Sequence, residues 1–177
     1  MLALALASLA ASLPAQAADP VQELLAPSGA CPRPKETLGV DEAKRDAMLC
    51  LVNWARARHG LRPLQVSSRL ELAAKRKADA ILRCGLSHEP CRIPSRSFLR
   101  ETAYGAGRRW SVGENLALVS RPLSARAVLA LWLESADHRA NVLNPSWRDI
   151  GIAEAGDGAR DDPTVAWVVE FGWAQAG

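Results

Sequence analysis

Apolar residues recur at three-and-four spacing across residues 40–59, at Val40, Ala43, Ala47, Leu51, Val52 and Ala55. At 3.6 residues per turn these positions form one stripe, so the spacing predicts an amphipathic helix. Gly60 and then Pro63 end it. A second helix is predicted to start at Ser67 or Ser68, with Ser68 and Glu71 as a capping box. Leu70, Ala73, Ala74, Lys77, Ala78 and Ile81 mark its inner side. A lysine in that stripe is expected to snorkel outward, and the many alanines point to close packing. Periodicity then fails across residues 83–109, where Gly, Pro and Ser recur, and the stretch reads as a long loop. Residues 110–118 read as a short strand turning through Gly113. A third helix is expected over 121–135, with Val128, Leu131 and Trp132 inward. Two apolar runs, 150–155 and 164–171, flank the turn-rich GDGARDDP and predict a β-hairpin.

The first 18 residues carry no charged side chain and are mostly Leu and Ala. The apolar run from Leu2 to Leu13 is too short to span a bilayer, and Ala15-Gln16-Ala17 makes a small-x-small cleavage site. Residues 1–17 are therefore expected to be a signal peptide. Residues 18–39 form a proline-rich arm, and 40–177 a single domain. The expected location is secreted or periplasmic, with no membrane span. The net charge of +3 is too small and too dispersed for a nucleic-acid binder. Five arginines between residues 92 and 109, against the single acid Glu101, form the one concentrated positive stretch. It reads first as solvated surface, with an anionic cell-surface polymer or lipid headgroup as the alternative.

Four cysteines in an exported chain read as two disulfides. Proximity pairs Cys84 with Cys91 and Cys31 with Cys50, and the absence of a C-x2-C spacing counts against a cysteine zinc site.

The polar chemistry gathers in WLESADHRANVLNPSW, residues 132–147. Ser135 is placed to cap a short helix, Asp137 falls in its first turn and His138 follows. Asn144-Pro145 ends the run. His59 sits at a helix C-terminus and is assigned a structural role. His88, His138 and Glu114 remain as candidates. Two imidazoles and a carboxylate can hold a divalent metal with open water positions, or act as a metal-free proton-transfer group. No HExxH, GxSxG, P-loop or GxGxxG motif is present.

LVNWARARHGLRPLQVSSRLELAA, then Ser87-His88, VGENLA, WLESADHRANVLNPSWRDIGIA and WVVEFG follow one another from Leu51 to Gly172. In this order they resemble the bacterial members of the CAP superfamily, the cysteine-rich secretory, antigen 5 and pathogenesis-related 1 proteins, whose domain is also called SCP. The resemblance implies an α+β fold, a three-layer α-β-α sandwich with a central antiparallel sheet. It also implies a cleft where two histidines and two acids meet, and where some members bind zinc or another divalent ion. By motif the first histidine is His88, the first acid Glu114 and the second histidine His138. Ser135 stands where many eukaryotic members have the second acid, so the adjacent Glu134 is the candidate for that place. The functional expectation is a monomeric, extracytoplasmic binding module for a small molecule, lipid or cell-surface component. The alternatives are a metal-assisted hydrolase with Glu114 as base and a lipid- or sterol-binding protein.

Overall fold

A computed structural model of the chain describes residues 20–32, 42–120, 123–159 and 163–175. The expected leader and residues 18–19 and 33–39 of the arm lie outside them. Within the arm, Pro20–Leu24 forms a short helix, α1. The helices α2 (Glu42–Arg58) and α3 (Ser68–Cys84) match the two apolar stripes. Gly60 closes α2 at φ +65°, a left-handed conformation that suits glycine. The cap of α3 is Ser67, whose hydroxyl accepts from the Leu70 N–H, and not the predicted Ser68.

The stretch read as a long loop contains a 3-10 turn at Pro90–Arg92 and a helix α4 at Ser95–Glu101. With seven residues, α4 is too short to show a helical period. Strand β1 (Gln65–Val66) is two residues long, and β2 spans Trp110–Val119. No turn interrupts β2 at Gly113, which pairs with Phe171 in an unbroken ladder. The glycine serves close approach instead. A Cβ there would lie 2.8 Å from Asn141 Oδ1 and 2.9 Å from Trp147 Cζ2.

Helices α5 (Ala125–Glu134) and α6 (Ala136–Val142) follow. Leu131 is 47% exposed, while Leu129 and Leu133 are buried, so the inner face of α5 lies to either side of the predicted residue. Ser135 holds the extended cap position of α6, though its side chain makes no capping bond.

Strands β3 (Asp149–Gly156) and β4 (Val165–Ala174) form the expected antiparallel hairpin. The sheet order is β1-β3-β4-β2, antiparallel except for the short parallel pairing of β1 with β3. The pleat then assigns the layers, because successive side chains point to opposite faces. Leu116, Ala153, Ala155, Ala166 and Val168 pack with Ala74, Ala78 and Ile81 of α3. Ile152, Trp167, Val169 and Phe171 pack with Met48, Val52, Leu129 and Trp132 of α2 and α5. The result is the α-β-α sandwich. Gly151 lets α3 lie directly on β3, since a Cβ there would meet the Leu70 backbone.

Both predicted disulfides form, Cys31–Cys50 and Cys84–Cys91. The first ties the arm to α2. A Cys31→Ser/Cys50→Ser variant should lose about 3 kcal/mol by the loop-entropy model. Reversible urea unfolding checks this, and a loss below about 1 kcal/mol would mean that the arm does not constrain the unfolded chain.

Candidate functional site

Strand alternation also organises the polar residues. Glu114 of β2 pairs across the ladder with Glu170 of β4, which pairs in turn with Gly151 of β3. This row faces α3, and α3 meets it with Lys77. The lysine does not snorkel: it is fully buried, and its ammonium pairs with Glu114 Oε2. It also donates to Ser95 Oγ at 3.0 Å, lies 3.6 Å from Glu170 Oε1, and sits over the Phe98 ring, 5.3 Å from the centroid.

The other carboxylate oxygen of Glu114, Oε1, is in contact with His88 Nδ1. The His88 side chain is 65% exposed and that of Glu114 only 13%, so the pair runs from the surface inward. Ser95, first residue of α4, donates its hydroxyl to the His88 carbonyl and lies 3.3 Å from Glu114 Oε1. The Cys84–Cys91 link fixes the segment that carries His88. Burial raises the Glu170 pKa to about 8, with the nearby Glu114 charge adding to the rise and Lys77 opposing it. Glu170 therefore favours its protonated form at neutral pH, beside the Lys77–Glu114 pair.

On the other face of β2, Asn115 is buried and donates from Nδ2 to the His138 carbonyl at 3.0 Å. Asn141 of α6 donates from Nδ2 to the Glu114 carbonyl and to Asn115 Oδ1, each at 3.0 Å. Half-buried His138 thus enters this network through its backbone. Glu134 is exposed at the end of α5. The structure joins His88 to Glu114. Among the described residues no group of three or more His, Cys, Asp or Glu side chains is placed to hold a metal ion.

Lys77, Glu170, Ser95, Asn115 and Asn141 are absent from the sequence-based candidates. Two of them carry a signal. Lys77 interrupts the apolar stripe of α3, and Glu170 interrupts the apolar run of β4. Polar interruptions on elements that pack together mark a buried polar contact, here Lys77 Nζ at 3.6 Å from Glu170 Oε1.

Residues 49–171 match the sequence model of the cysteine-rich secretory protein family, CAP. The chain belongs to the CAP family. This CAP chain is 27% identical over 109 residues to the uncharacterized protein YkwD of Bacillus subtilis. The match covers 62% of the chain and 41% of YkwD, so the chain spans less than half the length of that curated relative. Among solved structures it resembles an outer surface protein of Borrelia burgdorferi, with a TM-score of 0.65 and 20% identity over 77% of this chain and 97% of that one. It also resembles an extracellular protein containing an SCP domain from Bacillus anthracis, with a TM-score of 0.56 and 21% identity. That match covers 76% of this chain and 44% of the other. At these identities the likeness establishes the CAP fold and carries no ligand.

Proposed function

We propose that this CAP domain works outside the cytoplasm as a binding module, with a cleft centred on His88 and Glu114 and with Lys77 as its resident cation in place of a divalent metal. The observation that carries this reading is the division of the Glu114 carboxylate, Oε1 to His88 and Oε2 to the buried Lys77 ammonium. A divalent ion on that carboxylate would lie within a few ångströms of a fixed positive charge in a poorly solvated place, where like charges repel strongly. Zinc also needs three or four protein donors, and His88 with Glu114 supplies two.

The same division argues against the hydrolase reading, since both oxygens of the candidate base are already engaged. Ser95 lies beside Lys77, but its hydroxyl is already donated to the His88 carbonyl. The exposed edge of His88 is left as the polar contact for a ligand. Two disulfides suit an oxidising compartment, and the similar solved proteins named as outer-surface and extracellular fit the same place.

Native mass spectrometry of the mature protein, exported from its own host, tests the reading together with zinc titration of the chelated protein. The expected result is a small-molecule adduct lost on denaturation and absent from His88→Ala, with no saturable zinc binding. Saturable zinc binding that disappears in His88→Ala would overturn the assignment of Lys77. Turnover of peptide, ester or phosphoester substrates that disappears in Glu114→Gln would overturn the binding module.

A further inference from the structure

Three of the five arginines read first as solvated surface, Arg96, Arg100 and Arg108, acquire a different meaning from their placement. Arg96 and Arg100 stand one turn apart on α4, so both side chains leave the same face. Like charges at this spacing destabilise a helix unless something offsets them. The one acid of the segment does not do so, because Glu101 is drawn to Arg76 on α3 at 2.8 Å. Arg108 approaches from the other side, held by a bond from Nη1 to the Gln175 carbonyl at 3.1 Å. Among the described residues, no carboxylate lies within ion-pair distance of Arg96, Arg100 or Arg108.

Between them lies a recess of about 430 Å³ lined by these three arginines, Ala103, Ala106, Tyr104 and Trp110. Its wall is built rather than incidental. Arg96 stacks over the Trp110 ring, 5.4 Å from the centroid, which fixes the guanidinium plane. Tyr104 meets Trp110 edge to face at 6.4 Å and is anchored from behind by its hydroxyl, which donates to Asp149 at 2.7 Å. Gly105, at φ +67°, lets the loop turn under Trp110, where a Cβ would collide with the indole. Asp149, which does not line the recess, accepts from the Tyr104 hydroxyl.

We propose that this recess is a second binding site, independent of the His88–Glu114 cleft, that takes a phosphate-bearing anion with more than one phosphate or an array of them. Three guanidinium groups lining one recess offer paired donors matched to phosphate oxygens, and among the described residues no carboxylate within ion-pair distance competes for them. Such phosphates can come from a soluble polyphosphate or from a layer of lipid headgroups.

Calorimetric titration of the full mature protein with inorganic pyrophosphate, and sedimentation with phosphatidylcholine vesicles containing phosphatidylglycerol, separate these sources. The variants are Arg96→Gln/Arg100→Gln, with folding followed by near-ultraviolet circular dichroism, and Arg58→Gln as an exposed basic control outside the recess. Saturable pyrophosphate binding weakened about tenfold or more in the double variant, and unchanged in Arg58→Gln, is the expected result for a soluble source. Vesicle binding with the same dependence, and no pyrophosphate binding, supports the site with headgroups as the source. Binding to neither probe would overturn the proposal. So would binding that falls equally in Arg58→Gln, which would reduce it to diffuse surface charge.

Discussion

Lys77→Met should lose about 3–5 kcal/mol of folding stability near neutral pH, as expected when one partner of a buried ion pair is removed. Methionine keeps most of the volume and the apolar stem, so the loss reports the charge and not a cavity. The Glu114 carboxylate would be left against Glu170 without its cation, and both acids would then favour their protonated forms. That makes the deficit pH-dependent. An acid whose pKa is raised in the folded state contributes stability that is fully present below its unfolded value and is lost as pH rises through the folded value. Glu170 already behaves this way in the wild type, with a window from about 4.5 to about 8. In Lys77→Met, Glu114 joins it. The variant should therefore come closer to wild type near pH 5 than near pH 7.5, with urea unfolding as the measure. Adding Glu114→Gln should restore part of the loss at neutral pH, because a pair removed together costs less than a pair broken. An equal deficit at both pH values would mean that Lys77 is held by packing alone, and the resident-cation reading of the cleft would fall.

The contrast between Lys77 and Ala78 shows which parts of this fold are legible in the sequence. Ala78 needs only its period, because apolar burial follows from spacing and is indifferent to the partner. Both long helices, the final hairpin and the disulfide pairs can be read in that way or from proximity. Lys77 needs its partner. A buried charge is explained by an opposite charge on another element, and the 37 residues separating it from Glu114 carry no register that sequence spacing can measure. The same limit applies to His138. Its motif position is readable, but the alternation of β2 sends Glu114 towards α3 and Asn115 towards α6, so only the folded strand shows which layer each neighbour joins. The α4 helix escapes the pattern for a third reason. Its seven residues carry arginines at positions a stripe would leave to water, and its order comes from Phe98 and Leu99 packing onto α3 and not from local pattern.

Trp132→Ala should cost about 3–5 kcal/mol, the range for truncating a fully buried aromatic side chain. The indole is 2% exposed and lies among Met48, Val52, Trp167 and Val169, at the seam between α2, α5 and the sheet. It also has a polar duty. Strand β2 is an edge of the sheet, so alternate carbonyls have no strand partner and must be satisfied otherwise. Asn141 takes the Glu114 carbonyl, and Trp132 Nε1 donates to the Leu116 carbonyl at 3.1 Å. Trp132→Phe separates the two contributions, since it keeps most of the apolar contact and removes the N–H. It should lose about 1–3 kcal/mol, the cost of leaving a buried acceptor unpaired. For a domain of this size the alanine variant should melt roughly 6–20 °C lower. A phenylalanine variant as unstable as the alanine one would show that the edge-strand hydrogen bond, and not core packing, fixes α5 against the sheet. An alanine variant melting within about 2 °C of wild type would contradict the placement of Trp132 in the core.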